Sequence, residues 1–509
     1  MKSKFKVIIN IFKNLILDNH IKLLIKHNNH YFKDKKKYDK EFLFDYFESH
    51  EAEIARSYFA NVFRKKYKCN LIVFGDSKNI LLNYKWRKFY NSLNVIKFRY
   101  IFFSLKYIKF IFNIKKKKSI DIYLKKFEDK IKFLDFEYKG IIIGRDIYDE
   151  YLYRYKKVTL DLNDPRLKSI IYDFAYTIDY WIDYFNEKNV IGISLSHPNV
   201  RLLGMIGKVA NKYFNIPVYS VTNTYIKKNG GLENHYKHVK DILLDLPILF
   251  SKISNDQKKI ALDWSKKQLD KRLGGEVGVN MFYSSESAFG SHLLKRALSE
   301  SYKTKILICT HEFHDNPHST GGLLFPDFYE WLKYLGKKSI KSNHEWYIKN
   351  HPDCDLWTKS IVENFVKEFP SIKLINEKTS FLQLRDEGLN FVFTCHGTVG
   401  HECPLLGIQV VNADLNHPHI AYDFNWTPKS ISEYEKIIDD LSNITKKINN
   451  NEIYEFYFAR NKLNIKDDLI FKSYEKAKKN NKMHIVDLFL NQVNENRHYE
   501  ITKNILSKI

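Results

Sequence analysis

Nine short apolar runs, separated by helix-length segments, constrain this chain more than any other feature. In the first half they are NLIVFGD (Asn70 to Asp76), GIIIGRD (Gly140 to Asp146), VIGISLSHP (Val190 to Pro198) and IPVYSV (Ile216 to Val221). The second half repeats the pattern with KILICTH (Lys305 to His311), EWYIKNHP (Glu345 to Pro352), IKLI (Ile372 to Ile375), NFVFTCHG (Asn390 to Gly397) and IQVVNAD (Ile408 to Asp414). Short, β-branched runs without polar alternation are strands buried on both faces, and helices between them supply the cover. The pattern predicts an α/β chain of two Rossmann-like doubly wound domains, residues 1–285 and 286–430. A lysine- and asparagine-rich helical tail, 431–509, packs back on them. Such sheets bind ligands beyond the carboxyl ends of their strands, so functional residues are sought just after each run.

After the fourth run of the second half comes CHGTVGHE, Cys395 to Glu402. The strand ends, the chain turns at Gly397, and Thr398 is placed to cap a helix whose free N–H groups would receive a phosphate. Gly400 permits close approach, His396 lines the turn, and Glu402 lies one turn deeper, able to accept from sugar hydroxyls. Pro404 fits a helix only in its first turn, and Gly407 is a natural C′ residue. The bland alternative is an ordinary strand–turn–helix with a solvated Glu402.

His351-Pro352 directly follows another run, where proline fixes the backbone and an imidazole can donate to a departing phosphate. Asp353 and Asp355 form a D-x-D pair that carries no metal assignment. After the first run of the second half, Thr310 to Leu332 holds His311, His314, Asp315, His318 and the Gly321-Gly322 pair. The loop lacks the helical spacing of a zinc motif and reads as a ligand-contacting loop.

In this order, HEFHDNPHSTGG with DFYEWL, KNHPD and CHGTVGHECPLLGIQVV resemble the donor-binding half of bacterial capsule and surface-polysaccharide sugar transferases of the GT-B type. The His-Pro pair is similar to that of Kdo transferases and bacterial sialyltransferases. The resemblance spans Lys305 to Trp426 and implies a GT-B-like glycosyltransferase. His311, His314, Asp315, His318, His396, Gly397, Thr398, Gly400 and Glu402 would hold a nucleotide-sugar donor, and His351 would meet its phosphate. Cofactors are none and no metal is required, because helix dipole and positive side chains carry the leaving charge. The acceptor, a glycan or lipid-linked glycan of a growing capsular or other cell-surface polysaccharide, would bind the first domain. Asp146, Asp149 and His197 are candidate bases there, with Asp146 equally readable as a helix cap, and Arg201 suits an anionic acceptor.

The closest enzymatic alternative is a polyol-phosphate transferase of the teichoic-acid kind. A formal charge of +24 raises a non-catalytic nucleic-acid binder, but no recognition motif accompanies it, and abundant lysine, asparagine and isoleucine fit an AT-rich composition equally well. Nucleic acid is therefore not an expected partner. Five cysteines without CxxC spacing indicate neither a disulfide framework nor a zinc knuckle and fit a reducing cytoplasm. The basic N-terminal stretch is interrupted by Lys13 and followed by no small-residue cleavage site. Phe98 to Lys118 reads as a basic amphipathic helix with Arg99, Lys106, Lys109 and Asn113 on one stripe. It could lie on the inner membrane surface as readily as on its own domain. The expectation is a cytoplasmic protein peripheral to the inner face of the plasma membrane, in company with other capsule-assembly proteins.

Overall fold

Every residue of Cys69–Gly75 is buried, yet its side chains divide between two cores: Leu71 and Val73 enter one, Ile72 and Phe74 the other. That is the period-2 geometry of a strand covered on both sides. The computed structural model describes residues 17–34, 36–75, 83–102, 105–114, 117–118, 120–121, 127–197, 201–223, 226–229, 240, 242–279, 287–290, 295–463, 469–471 and 484–509. Its strands in the first half are β1 (Lys40–Asp45), β2 (Cys69–Gly75), β3 (Val95–Tyr100), a small hairpin of β4 (Glu137–Tyr138) and β5 (Ile141–Ile142), β6 (Val190–Leu195), β7 (Val218–Val221) and β8 (Ile226–Asn229). The main sheet has the order β3-β2-β1-β6-β7-β8, parallel except that β8 runs against β7. The chain winds outward from β1 to β3 and then crosses to β6 on the other side, so the topological switch point lies between β1 and β6.

Helices cover both faces: α1 (Asn19–Tyr31) and α2 (His50–Tyr67) one, α3 (Gly144–Tyr155), α4 (Pro165–Glu187) and α5 (Arg201–Val209) the other. α4 starts where Asp164 accepts from the Arg166 amide and proline occupies the first turn. It buries Trp181 edge-on against Phe74, ring centroids 5.0 Å apart. Side chains of this size contribute about 1.5–3 kcal/mol each when fully buried.

Three differences from the sequence reading concern this half. The central strand is KEFLFD, whose charged ends disguised it. GIIIGRD supplies only a hairpin strand, turned through Lys139 and Gly140 at φ 50° and 63°, before α3 begins. The stretch 98–118 is not one helix: Phe98 to Tyr100 belong to β3, held by pairing with β2, and helix resumes only at Leu105–Ile111. Arg99 therefore leaves the predicted polar stripe and lies over the Tyr184 ring, 4.9 Å from its centroid. Residues 103–104, 115–116 and 1–16, together with Asp76, lie outside the described residues.

The second half follows the sequence pattern strand for strand. After α6 (Asn255–Leu273) come β9 (Lys305–Cys309), β10 (Glu345–Lys349), β11 (Ile372–Leu374), β12 (Phe391–Thr394) and β13 (Gln409–Asn412), all parallel in the order β11-β10-β9-β12-β13. Its switch point lies between β9 and β12. The covering helices include α7 (Phe328–Ile340), α8 (Leu356–Glu368), the single turn α9 (Val399–Glu402) and α10 (Ile431–Asp439). The chain thus has two Rossmann-like domains. α11 (Asn450–Phe458) packs with α6, while α12 (Ile485–Gln492) and α13 (Glu495–Leu506) enter the first domain's core beside α2.

Candidate active site

At the second switch point, the loops after β9, β10 and β12 each supply a histidine. His311 stacks on Phe328 with ring centroids 4.8 Å apart and lies 4.6 Å from the His396 ring. Its Nε2 is 3.2 Å from Thr394 Oγ1. Burial, with added repulsion from His396 and His351, pushes its pKa well below 6.5, so this ring is neutral.

His396 is oriented from behind. Its Nδ1 lies 3.2 Å from Oδ2 of Asp414, a carboxylate fully buried just beyond β13. Asp414 also accepts from Thr320 Oγ1 at 2.5 Å and from the Asn416 amide at 2.7 Å. Burial alone would raise the Asp414 pKa, but His396 and these donors outweigh it and hold the carboxyl below its usual range. An ionised Asp414 only accepts, so Nδ1 carries the hydrogen and Nε2 is the atom His396 presents. IQVVNAD was read as a strand, and the role of its terminal Asp414 was missed.

His351 is fixed differently. Its Nδ1 accepts from the Asp353 amide at 3.1 Å, which assigns the neutral ring's hydrogen to Nε2. The ring reaches solvent, yet enough protein surrounds it for desolvation to lower its pKa, with Lys349 and Arg272 pushing the same way and Asp353 and Glu402 opposing. Asp355 is the N-cap of α8, accepting from the Thr358 amide at 2.8 Å.

The turn after β12 departs from expectation. Thr398 makes no cap: its hydroxyl donates to Glu402 Oε2 at 3.2 Å, and α9 is one turn that passes into a 3-10 turn begun by Pro404. A helix this short offers little dipole. Gly407 does end that turn, at φ 77°. Gly397 lies under His311, whereas Gly400 faces away from the site: a Cβ there would come within 2.5 Å of His419. Glu402 is 1% exposed and receives Arg272 Nε of α6 at 2.8 Å. It therefore does not read ligand hydroxyls; it neutralises a buried guanidinium beneath His351. Beside it, burial lowers Lys349 to a pKa of about 8.

The loop after β9 contributes less than predicted. His311 joins the cluster, but His314 stands edge-on to Trp357, centroids 5.1 Å apart, and Asp315 is exposed. His318 is buried at the domain boundary, with Nδ1 2.6 Å from Asp149 Oδ1 of α3 and Nε2 2.8 Å from the Pro326 carbonyl. Both partners accept, so both ring nitrogens carry hydrogen and the ring is an imidazolium. Burial opposes this, but Asp149 and the two hydrogen bonds raise the pKa above 6.5. Asp149 is consumed as a counter-ion and is no base. Asp146 is likewise buried and bound by Lys208 Nζ, with burial raising its pKa.

A raised folded-state pKa means that the stabilisation from His318 is complete below the unfolded value and is lost as pH climbs through the folded one. Stability measured by chemical denaturation should accordingly fall from pH 6.5 upward, and Asp149→Asn should flatten that slope.

At the first switch point, the sequence reading found His197 but missed its supports. Asp45 ends β1, and Ser196 follows β6. The Ser196 hydroxyl donates to Asp45 Oδ2, and its amide donates to Oδ1 at 3.0 Å. His197 Nδ1 is 3.2 Å from Ser196 Oγ. With that hydroxyl's hydrogen committed to Asp45, Nδ1–H must donate and Nε2 keeps its lone pair. Partial burial lowers the His197 pKa against the pull of Asp45, with Arg56 and Arg201 helping. Arg56 is buried and bridges Asp45 and Glu53; burial, reinforced by Asp45, raises Glu53 to about 7.

The two carboxyl edges are linked by contacts: Arg201 lies 3.6 Å over the Tyr153 ring and 3.8 Å from Glu150, and Tyr153 lies beside His314. Pro198 to Val200 lie outside the described residues.

No family model matches the chain. No curated protein matches it. Among solved structures it is similar to KpsC of Thermosulfurimonas dismutans, a beta Kdo 2,4 transferase, at 12% identity and TM-score 0.31, covering 55% of this chain and 85% of that one. It is also similar to a glycosyltransferase from Rickettsia africae, at 10% identity and TM-score 0.24, over 93% and 100% of the two chains. S. aureus MnaA, solved with UDP, matches at 10% identity and TM-score 0.24, over 89% and 97%.

Proposed function

We propose that the chain is a glycosyltransferase that moves a sugar from a nucleotide-sugar donor to a growing cell-surface glycan. The observation that carries this reading is the convergence of His311, His351 and His396 at the second domain's switch point, with His396 backed by buried Asp414. His351 offers Nε2–H to a donor phosphate. His396, once protonated against Asp414, offers a second charged donor where the leaving phosphate gathers charge. In the first domain, His197 Nε2 takes the proton of the acceptor hydroxyl as that oxygen bonds to the anomeric carbon and the sugar–phosphate bond breaks. Of the three candidate bases, His197 alone is accessible and unpaired at its working nitrogen among the described residues.

Thermal shift against UDP, GDP, CDP and CMP tests the donor assignment: one nucleotide should raise the Tm, and His351→Ala should weaken that response. Stabilisation only by salt-sensitive polyanions would sink the reading.

Membrane attachment is part of the proposal. Among the described residues no helix is long and apolar enough to cross a membrane. Ile108, Phe112 and Ile114 are nevertheless 51%, 77% and 68% exposed beside Lys109, while Phe110 is buried in the domain. Phe112→Asp should weaken binding to anionic vesicles by about tenfold or more, the worth of one inserted ring. Unchanged co-sedimentation would remove the anchor.

A further inference from the structure

The N-cap of α1, the start of α2 and the start of α12 meet. Three histidines and an aspartate gather there from remote parts of the chain. His20 Nε2 lies 3.1 Å from Asp487 Oδ2, across 467 residues of sequence. The His20 and His484 rings stack with centroids 3.5 Å apart and planes 12° from parallel. Ligand atoms of His20, His484 and Asp487 all lie within 4.8 Å of one another, the only such grouping of three among the described residues. His50 lies next to the set: its ring is 5.1 Å from that of His484 and 6.2 Å from that of His20. Its Nε2 is buried without a hydrogen-bond partner; the nearest carboxylate oxygen, Asp18 Oδ1, is 3.8 Å away.

The surrounding hydrogen bonds pre-orient these groups. His484 caps α12 by accepting from the Val486 amide at Nδ1, 3.3 Å, so Nε2 is its free nitrogen. Asp18 is spoken for, capping α1 through the Ile21 amide at 2.9 Å and binding Lys85 Nζ at 3.2 Å. His20, His484 and Asp487 bring two imidazole nitrogens and a carboxylate within reach of one ion, with the unpartnered His50 Nε2 at the edge of the group, a set suited to a borderline divalent cation. Trp86 packs against the His50 ring, with centroids 5.4 Å apart, but the stacked His20 and His484 rings meet a carboxylate. An orphaned Nε2 beside it is a donor or acceptor without a use, which is uncommon in a native interior.

We propose that His20, His50, His484 and Asp487 form a zinc site that fastens the returning C-terminal helices to the first domain. The ion would cross-link α1, α2 and α12, closing the fold between its two ends. The site is independent of the transfer chemistry and stands or falls without it. No spacing motif announces it, because its ligands lie hundreds of residues apart.

The test uses the full chain, stripped with chelator and then titrated with zinc against a chromophoric competitor, with bound metal counted by mass spectrometry. One zinc per chain is expected. His20→Ala, His484→Ala and Asp487→Asn should each weaken it by more than about 100-fold, since losing even a partner of a ligand costs 10–100-fold. His396→Ala, which alters the other histidine cluster, should keep it. Variants that bind zinc as wild type does would overturn the proposal, as would a wild-type chain that takes up none. Should the variants fail to fold, cobalt(II) added to the stripped wild-type chain decides: intense visible absorption of a four-coordinate ion supports the site, and the weak spectrum of an octahedral ion overturns it.

Discussion

Replacing His396 with alanine is expected to slow sugar transfer by about 10²–10³-fold while leaving the chain folded, the range for losing a positioned proton or charge donor. The fold should survive because the side chain is 24% exposed and ends a strand without filling the core. What the change removes is the imidazole that Asp414 holds in place. Asp414 itself retains Thr320 and the Asn416 amide, so it is not stranded. An Asp414→Asn variant separates orientation from contact. An amide cannot stabilise charge on the ring as a carboxylate does, so kcat should fall while KM changes less. A His396→Ala enzyme that keeps turnover within about threefold of wild type would remove the histidine from the reaction. Loss of the thermal transition instead would make it structural.

The difference between the two domains explains how much of this was legible in the sequence. Four of the five strands of the second sheet were readable as continuous apolar runs such as FVFT or KILIC, with charge only at their ends; β11 has Lys373 at its centre and was legible only from the apolar residues either side of it. In the first domain the central strand KEFLFD carries Lys40, Glu41 and Asp45 within six residues, and charge hid it. With the strand went the Asp45–Ser196–His197 arrangement, so nothing in the sequence set His197 apart from Asp146 and Asp149, which follow an apolar run that is half hairpin. The predicted amphipathic helix failed for a related reason: long-range pairing of Val95–Tyr100 with β2 overrode a local 3.6-residue period. In the candidate site, residue types and positions after strands were legible, and partners were not. His311, His351 and His396 lie where the sequence put them. That Glu402 faces Arg272, 130 residues upstream, and that His318 spends itself on Asp149 depends on packing no local pattern encodes.

The Arg272–Glu402 pair carries the largest expected effect on stability. The side chains are 4% and 1% exposed, and removing one partner leaves the other's charge in a medium that cannot solvate it. Glu402→Ala should cost about 3–5 kcal/mol in urea denaturation, because Arg272 would keep only neutral acceptors, the Glu276 carbonyl and Ser287 Oγ, each at 3.2 Å. Arg272→Met should cost a similar amount, leaving Glu402 only the Thr398 hydroxyl. The double change Arg272→Met with Glu402→Leu should recover most of the loss, since an apolar pair of like volume pays no desolvation. Single variants within about 0.5 kcal/mol of wild type would show that water reaches the pair and that it behaves as a surface ion pair. The same experiment decides between the two roles of Glu402. A carboxylate that reads substrate hydroxyls would, as Glu402→Gln, raise KM with little change in unfolding; a carboxylate that neutralises Arg272 would lower stability and leave KM nearly untouched. The hydrogen bonds to both of its oxygens come from the protein itself, and that favours the second outcome.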